Sequence, residues 1–545
     1  MKLWSSRMAI PYTRVPKSSR LLLDYLYDFA RVAKFFTASP FGLAGYQTVA
    51  SQLPAQKGER GKLADVLAKQ NQSFGGFPAV FNNIERLRHK ETFAVVTGQQ
   101  VGLFSGPVYT LYKALTAVRL AQWLSEQGLP SVPVFWLATE DHDLEEVSQA
   151  AVLDDEYARV TVSDPGERPS PKSPVGLTKL TAGVTETLNR LEAVLPIGDN
   201  RASLMQDLRA CYQPGQTWTQ GFGRLMARFF GRWGVILVDA FDPILRELSA
   251  KTCSLAVERS ADLRGKLLDR SRKLEESGYH AQVHVAADST LLFLLEGSDR
   301  LVLRQSSDGF TRENGARYSA AELKSLAANG PSRFSSNVLM RPIVQDALLP
   351  TLAYVAGPSE LAYLGQAQAI YADFGRPMPV VFPRAAFTLL DPRTERLLEK
   401  YKISVEDVWQ GEEHLNGKIA LAGLADGWGE RFDQSERELT TLLERSRKDI
   451  ESLDPTLLDS LKNAEEKMKY QLERVRGKLS RAALQRSELL RRHQQAVRRL
   501  LFPEKDLQER QVCGVYFLAR ASYALLDRIL NEIRVESSDH QVFLY

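Results

Sequence analysis

The chain has 545 residues, more than a single hydrophobic core usually serves, so we expect more than one domain. Apolar residues make up 44% of the sequence and charged residues 25%, as in typical globular proteins. The net charge of +4 is too small over this length to indicate nucleic-acid binding, and no apolar run is long enough to cross a membrane. The N-terminus lacks the apolar stretch of a signal peptide, and three scattered cysteines predict a reducing cytoplasm without structural zinc.

A strand–loop–helix–strand pattern follows an amphipathic helical region at residues 15–90. The first apolar run, residues 93–96, leads into a loop that holds Gly98, Gly102 and Gly106. A long helical pattern starts at Pro107, and a second apolar run covers residues 134–138. Because open α/β sheets bind ligands at the carboxyl ends of their strands, we expect an active site where these two strands end.

Later segments extend this α/β pattern. Three more short apolar runs, at residues 234–239, 352–355 and 380–382, predict further strands of the same parallel sheet. Helical patterns occupy residues 178–194, 201–232 and 243–277. Residues 280–311 alternate and carry turn signals, which predicts a small antiparallel insertion.

The composition changes after about residue 392. Apolar residues from Leu461 to Ala482 step by three and four, as in a coiled coil, and Asp454-Pro455 predicts the turn of an antiparallel helical hairpin. We therefore predict three parts. They are a Rossmann-like core at 1–390 with insertions at approximately 155–232 and 278–335, a helical coiled-coil arm at 391–505, and a segment at 506–545 that returns to the core.

The glycine loop matches neither a GxGxxG fingerprint nor a P-loop. Its glycines allow close backbone approach, and a helix starting at Pro107 would offer N–H groups and a positive dipole end to an anion. The alternative is a buried turn followed by an exposed lysine. We predict substrate or nucleotide binding by Thr97, Gly98, Gln99, Gln100, Gly106, Pro107, Thr110 and Lys113.

Three acids and a histidine follow the second strand. Such a cluster suits general acid–base chemistry, and we assign Asp141, His142 and Asp143 as candidate catalytic groups and Glu140 as a substrate contact. The alternative is helix capping by Asp141 or Asp143, which is compatible with the first role. We predict no bound metal; His280 and His284 would lie about 13 Å apart on a strand, too far to share an ion.

A second Gly-Pro turn lies between a strand and a helix at Gly357. Polar residues then recur at a spacing of three on one helix face, and we predict that Gly357, Glu360, Tyr363 and Gln366 line the site. A solvated helix face is the alternative. Arg384, after the last predicted strand, is a candidate partner for a carboxylate or phosphate.

The coiled-coil region is basic over residues 467–499, with eleven Lys or Arg against two acids. Such a helix could bind RNA, but it could equally pack against the acid-rich helix at 430–454. We favour pairing, because no base-stacking aromatics interleave the basic residues.

Four long segments resemble one family. They are TGQQVGLFSGPVYTLYK, FWLATEDHD, RPIVQDALLPTLAYVAGPSELAYLGQ and MPVVFPR, and they resemble the BshC family, the cysteine ligases of bacillithiol biosynthesis. The resemblance covers essentially the whole chain. It implies a core similar to that of class I aminoacyl-tRNA synthetases, connective insertions, and a homodimer through the coiled coil.

The resemblance also implies a reaction, the addition of cysteine to the amino group of glucosaminyl-malate. ATP with Mg²⁺ is suggested only by analogy with the synthetases, whose HIGH and KMSKS signatures are absent; residues 106–109 stand at the HIGH position. Loop 98–107, Thr110 and Lys113 would then hold an anion, and Glu360 a substrate ammonium. Two alternatives stay open, a nucleotidyltransferase-like enzyme with another substrate and an RNA-binding scaffold.

Overall fold

The N-terminal half begins with helices and leads into the first strands of the main sheet. The computed structural model describes residues 8–54, 59–423 and 428–545; the expectation about a signal peptide falls on residues 1–7, outside these ranges. The first elements are β1 (Met8–Ile10), α1 (Arg20–Tyr27), α2 (Phe29–Val32), α3 (Ala44–Gln52), α4 (Glu59–Ser73), α5 (Pro78–Arg88), β2 (Phe93–Gln99), α6 (Tyr109–Glu126) and β3 (Ser131–Leu137). Helix α6 begins two residues after Pro107, because Phe104, Ser105 and Gly106 all have positive φ and delay the helix.

The next part adds one strand to the main sheet and a largely helical excursion. Its elements are α7 (Leu144–Val147), β4 (Gln149–Leu153), β5 (Arg159–Ser163), α8 (Val184–Val194), α9 (Asp199–Cys211), α10 (Trp218–Phe230), β6 (Ile236–Asp239), α11 (Pro243–Leu248), α12 (Ala250–Glu258) and α13 (Ser260–Glu276). The antiparallel pair of β4 and β5 was not predicted from the sequence.

A small antiparallel sheet precedes the last strands of the core. The elements are β7 (Ser289–Glu296), β8 (Asp299–Ser306), β9 (Gly309–Arg312), β10 (Arg317–Tyr318), α14 (Ala320–Asn329), β11 (Phe334–Ser336), α15 (Arg341–Leu348), β12 (Thr351–Ala356), α16 (Pro358–Tyr371) and β13 (Val380–Pro383). Strand β7 begins at Ser289 rather than at 280, so His280 and His284 lie in irregular chain. Within the described ranges, no three His, Cys, Asp or Glu side chains are grouped so that they could hold a metal ion.

The C-terminal part contains the helical hairpin. Its elements are β14 (Phe387–Leu390), α17 (Pro392–Tyr401), α18 (Val405–Trp409), α19 (Glu412–Gly423), α20 (Trp428–Leu453), α21 (Leu458–Arg486), α22 (Glu488–Leu501), α23 (Gln508–Gln511), α24 (Gly514–Ala521), α25 (Ala524–Glu532) and β15 (His540–Leu544). Helices α20 and α21 pack together across a turn at Asp454, and Arg476 lies 3.4 Å from Asp433. None of the helices in the described part of the chain has the length and apolarity required to traverse a bilayer.

Five parallel strands form the main sheet in the order β13-β12-β2-β3-β6, which confirms the predicted Rossmann-like core. From β2 the chain moves one way to β3 and β6, and later returns to the other side of β2 with β12 and β13. The strand order therefore reverses between β2 and β12, and ligands of open α/β sheets bind at such a switch point. A separate three-stranded sheet, β1-β15-β14, joins the two ends of the described chain.

Candidate active site

A cavity of about 710 Å³ lies at the carboxyl ends of β2, β3 and β12. Three groups of residues that the sequence predicted separately meet there: residues 98–100 at the end of β2, residues 140 and 141 after β3, and residues 357–360 after β12. Parallel strands present their carboxyl ends at one edge, which explains why segments so distant in sequence converge.

Lys113 forms the floor of the cavity between β2 and β12. Its Nζ donates to the Gly98 carbonyl at 2.8 Å and to Gln99 Oε1 at 3.0 Å, and it pairs with Glu360 Oε2 at 2.5 Å. Burial lowers the pKa of Lys113, although Glu360 opposes this shift. All three N–H donors of the ammonium are engaged, so a substrate anion would have to displace one of these acceptors.

The carboxylate of Glu360 also has several partners within the protein. Besides Lys113, it accepts a hydrogen bond from the Gly357 N–H at 2.7 Å and one from the Tyr354 hydroxyl at 2.8 Å. Burial disfavours its charged form, but Lys113 and the hydrogen bonds from Gly357 and Tyr354 together outweigh this effect, so the pKa of Glu360 lies below its ordinary value. The carboxylate is therefore ionised and already neutralised, so it has little charge left for a substrate ammonium.

A second acidic group on the cavity wall lacks such a counter-ion. The amide of Gln100 donates to Asp141 Oδ2 at 2.8 Å and to Glu146 Oε2 at 2.9 Å, which holds the two carboxylates side by side. Asp141 Oδ1 also accepts from the His142 N–H at 2.7 Å. Among the described residues, no Lys or Arg nitrogen lies within 4 Å of either carboxylate, although His142 Nδ1 lies 3.7 Å from Asp141 Oδ1 and Arg300 acts on Asp141 from further away. The pair is therefore neutralised only in part and can attract a cation.

Glu140 lies beside this pair but in a different environment. Burial raises its pKa, although Arg246, 3.7 Å away, and Arg300 both oppose the shift. Its charge is shared with two guanidinium groups, which makes it a supporting group in the wall rather than a free anion.

His142 and Asp143 have other surroundings. The ring of His142 faces Arg300, whose Nη1 lies 3.2 Å from Nδ1, and the ring is 48% exposed. Asp143 is the N-cap of α7 and accepts from the Glu146 N–H at 3.1 Å, which was the capping alternative. Of the three candidate catalytic residues, Asp141 is the one that lines the cavity.

Five other predicted residues do not line the cavity. Thr97 ties β2 to β12 through the Val355 carbonyl at 3.0 Å. The Gly106 carbonyl accepts from the Gly514 N–H, and Pro107 pairs with Cys513, so the C-terminal part covers the loop that was expected to cradle an anion. The hydroxyl of Thr110 is buried without a partner among the described residues. Gln366 instead binds both backbone groups of Val283 and thereby holds a segment of the wall.

Arg384 does line the cavity, but its charge is neutralised by another residue of the protein. Its guanidinium makes two hydrogen bonds to Glu509, at 3.0 and 2.5 Å, and stacks 5.2 Å from the ring centroid of Tyr109. The C-terminal part thus supplies a counter-ion to the core.

Two arginines in the wall received no role from the sequence, although the motif that Arg341 opens was noted there. Arg341, the first residue of α15, donates to the hydroxyls of Tyr354 and Tyr363, and Arg300, on β8, stacks 3.8 Å from the ring centroid of Phe293. Arg341 opens one of the segments that carried the family resemblance, so a signal for it was present. Arg300 carries no local signal, because it is one alternating residue of a small strand.

Comparison with known proteins gives full-length matches. Two family models cover the chain: "Bacillithiol biosynthesis BshC, N-terminal Rossmann-like domain" over residues 8–385, and "Bacillithiol biosynthesis BshC, C-terminal coiled-coil domain" over residues 387–545. A protein of Koribacter versatilis (strain Ellin345) named "Putative cysteine ligase BshC" is 37% identical over 96% of this chain and 97% of its own length. A protein of the same name from Solibacter usitatus (strain Ellin6076) is 36% identical over 97% and 98%.

A solved structure was also matched. It is titled as a putative arginyl tRNA synthetase from Campylobacter jejuni, and the alignment covers 87% of this chain and 98% of that chain at 10% identity. Its TM-score of 0.22 is too low to support a shared fold.

Proposed function

The chain belongs to the BshC family of bacillithiol biosynthesis, and on that premise we propose that it joins the carboxyl group of cysteine to the amino group of glucosaminyl-malate. The observation that supports this reaction most directly is the Asp141–Glu146 pair, which lies on the cavity wall without a Lys or Arg within 4 Å among the described residues. A sugar amine arrives as an ammonium at neutral pH, and this pair suits that charge.

The chemistry requires removal of a proton from the amine. We assign the base to Asp141, because Gln100 and the His142 N–H orient its carboxylate at the cavity wall. The ammonium first gives one proton to Asp141, and the free amine then attacks the acyl carbon of an activated cysteine, so that the C–N bond forms. The bond to the leaving group breaks with its electron pair, and the second proton that the nitrogen loses passes to the departing group or to water. Activation as an adenylate, formed from ATP with Mg²⁺, is assigned by analogy alone.

The first experiment is product formation by the purified chain. We expect incubation with cysteine, glucosaminyl-malate, ATP and Mg²⁺ to yield the amide, seen by mass spectrometry as the sum of the two substrates less one water. Parallel reactions without ATP and without cysteine are the controls. Formation of product without ATP would overturn the adenylate step, and absence of product under every condition would overturn the ligase assignment.

We also propose that the chain acts in the cytoplasm as a homodimer through α20 and α21. Leu442 and Val475, at apolar positions of these helices, are 61% and 57% exposed, and three buried free cysteines suit a reducing compartment. We expect sedimentation to show a dimer, and Leu442→Lys with Val475→Lys to shift it to monomer. A dimer unaffected by this double change would place the interface elsewhere.

A further inference from the structure

Arg341 presents an unneutralised guanidinium to the cavity. Its Nη1 donates to Gln345 Oε1 at 3.0 Å, and its Nη2 donates to the hydroxyls of Tyr354 at 3.2 Å and Tyr363 at 2.8 Å. All three acceptors are neutral, and no carboxylate of the described residues lies within 4 Å. The Nε–H and one Nη1 N–H have no acceptor in the described part of the chain and are free for a ligand.

The other cations of the cavity wall differ from Arg341. Lys113 is paired with Glu360, and Arg384 with Glu509. Arg300 donates to the Ser335 hydroxyl and the Ser336 carbonyl, and its charge acts on Glu140. Arg510 lies exposed at the rim. Among the described residues, Arg341 therefore forms no ion pair within 4 Å, and the carboxylate that acts on it from further away, Glu360, is already paired with Lys113.

The surroundings of Arg341 hold its guanidinium in one orientation. Gln345 is itself fixed by a hydrogen bond to Asp346 at 3.0 Å, and the Asp346 carboxylate accepts from Tyr371 at 2.7 Å. On the other side, Tyr354 donates to Glu360 at 2.8 Å. A guanidinium held in this way is preorganised to bind a planar oxyanion with little loss of entropy.

We propose that Arg341 is the anchor of a carboxylate subsite, and that this subsite holds the malate end of the acceptor. The inference rests on the proposed function, which supplies an acceptor with an amine on its sugar and two carboxylates on its malate. The cavity is complementary to this charge distribution: Asp141 and Glu146 on one wall suit the ammonium, and Arg341 on another suits a carboxylate.

Calorimetric titration of the full chain tests the subsite without requiring turnover. The ligands are glucosaminyl-malate and methyl glucosaminide, which keeps the sugar amine but lacks both carboxylates. We expect Arg341→Gln to raise the Kd for glucosaminyl-malate by about 10- to 100-fold, the range of a charge-assisted hydrogen bond. Its Kd for methyl glucosaminide should change less than about twofold, and Arg341→Lys should lie between wild type and Arg341→Gln.

The controls separate the possible failures. Arg88→Gln changes another partly buried arginine, on α5 and outside the cavity wall, and should leave both Kd values unchanged. ATP with Mg²⁺ is titrated as a third ligand. An equal loss of affinity for both sugars in Arg341→Gln, or a loss of affinity for ATP alone, would overturn the carboxylate subsite. If Arg341→Gln unfolds at a lower temperature than the wild type, the same two Kd values measured for Arg341→Lys test the proposal. Failure of the wild-type chain to bind glucosaminyl-malate would instead overturn the proposed acceptor.

Discussion

Replacing Asp141 by asparagine should lower kcat/KM for amide formation by about 10²- to 10⁴-fold, the usual contribution of a general base. Asparagine keeps the shape of the side chain but only one acceptor oxygen, so the hydrogen bond from the His142 N–H can persist while that from Gln100 is lost. Gln100 keeps its second acceptor, Glu146. The change therefore removes the negative charge, the ability to accept a proton and one hydrogen bond. The loss should appear mainly in kcat, measured from the rate of product formation at saturating cysteine and acceptor.

Asp143→Asn provides the matched comparison, because the same change is made two residues away. The Asp143 carboxylate caps α7, and asparagine is an equally good N-cap, so we expect less than about a threefold loss of kcat/KM. A second comparison, Glu146→Gln, should raise KM for the acceptor more than it lowers kcat, since Glu146 is assigned to attract the ammonium. Equal losses in Asp141→Asn and Asp143→Asn would contradict the assignment of Asp141 as base.

The core strands could be predicted from the sequence, because each is a short apolar run buried on both faces. Runs such as residues 134–138 and 352–355 correspond to β3 and β12 within one to three residues at each end. The order of the strands could not be predicted, because it depends on which distant segments pair. The switch point between β2 and β12, which positions the cavity, became visible only with the sheet assembled.

The sequence predicted which polar residues lie at the strand ends of the candidate site. It did not predict which of their charges are paired within the protein and which remain available to a substrate. Lys113 and Glu360 were expected to bind an anion and an ammonium of the substrate, yet they bind each other at 2.5 Å. Asp141 and Glu146, by contrast, form no ion pair with a lysine among the described residues. They lie five positions apart in the sequence, and both accept a hydrogen bond from Gln100 at the end of the neighbouring strand. Which charges are neutralised is a tertiary property that local patterns do not contain.

Replacing Arg384 by methionine should lower the free energy of unfolding by about 3–5 kcal/mol, the cost of leaving a buried charge without its partner. The side chains of Arg384 and Glu509 are 4% and 3% exposed and form two hydrogen bonds. Burial disfavours the Glu509 carboxylate, but Arg384 outweighs it and keeps the pKa of Glu509 below its ordinary value. Without Arg384, burial alone acts on this carboxylate and should raise its pKa.

The double variant Arg384→Met with Glu509→Met separates the loss of a pair from the loss of packing. Removing both charges should recover most of the stability, because an apolar pair can replace a buried ion pair at little cost. Urea unfolding followed by tryptophan fluorescence measures the single and double changes, and additive costs would contradict the coupling. The cost of Arg384→Met alone should shrink as the pH falls through the raised pKa of Glu509, because Glu509 then takes up a proton in the folded variant, whereas the double variant should show no such dependence.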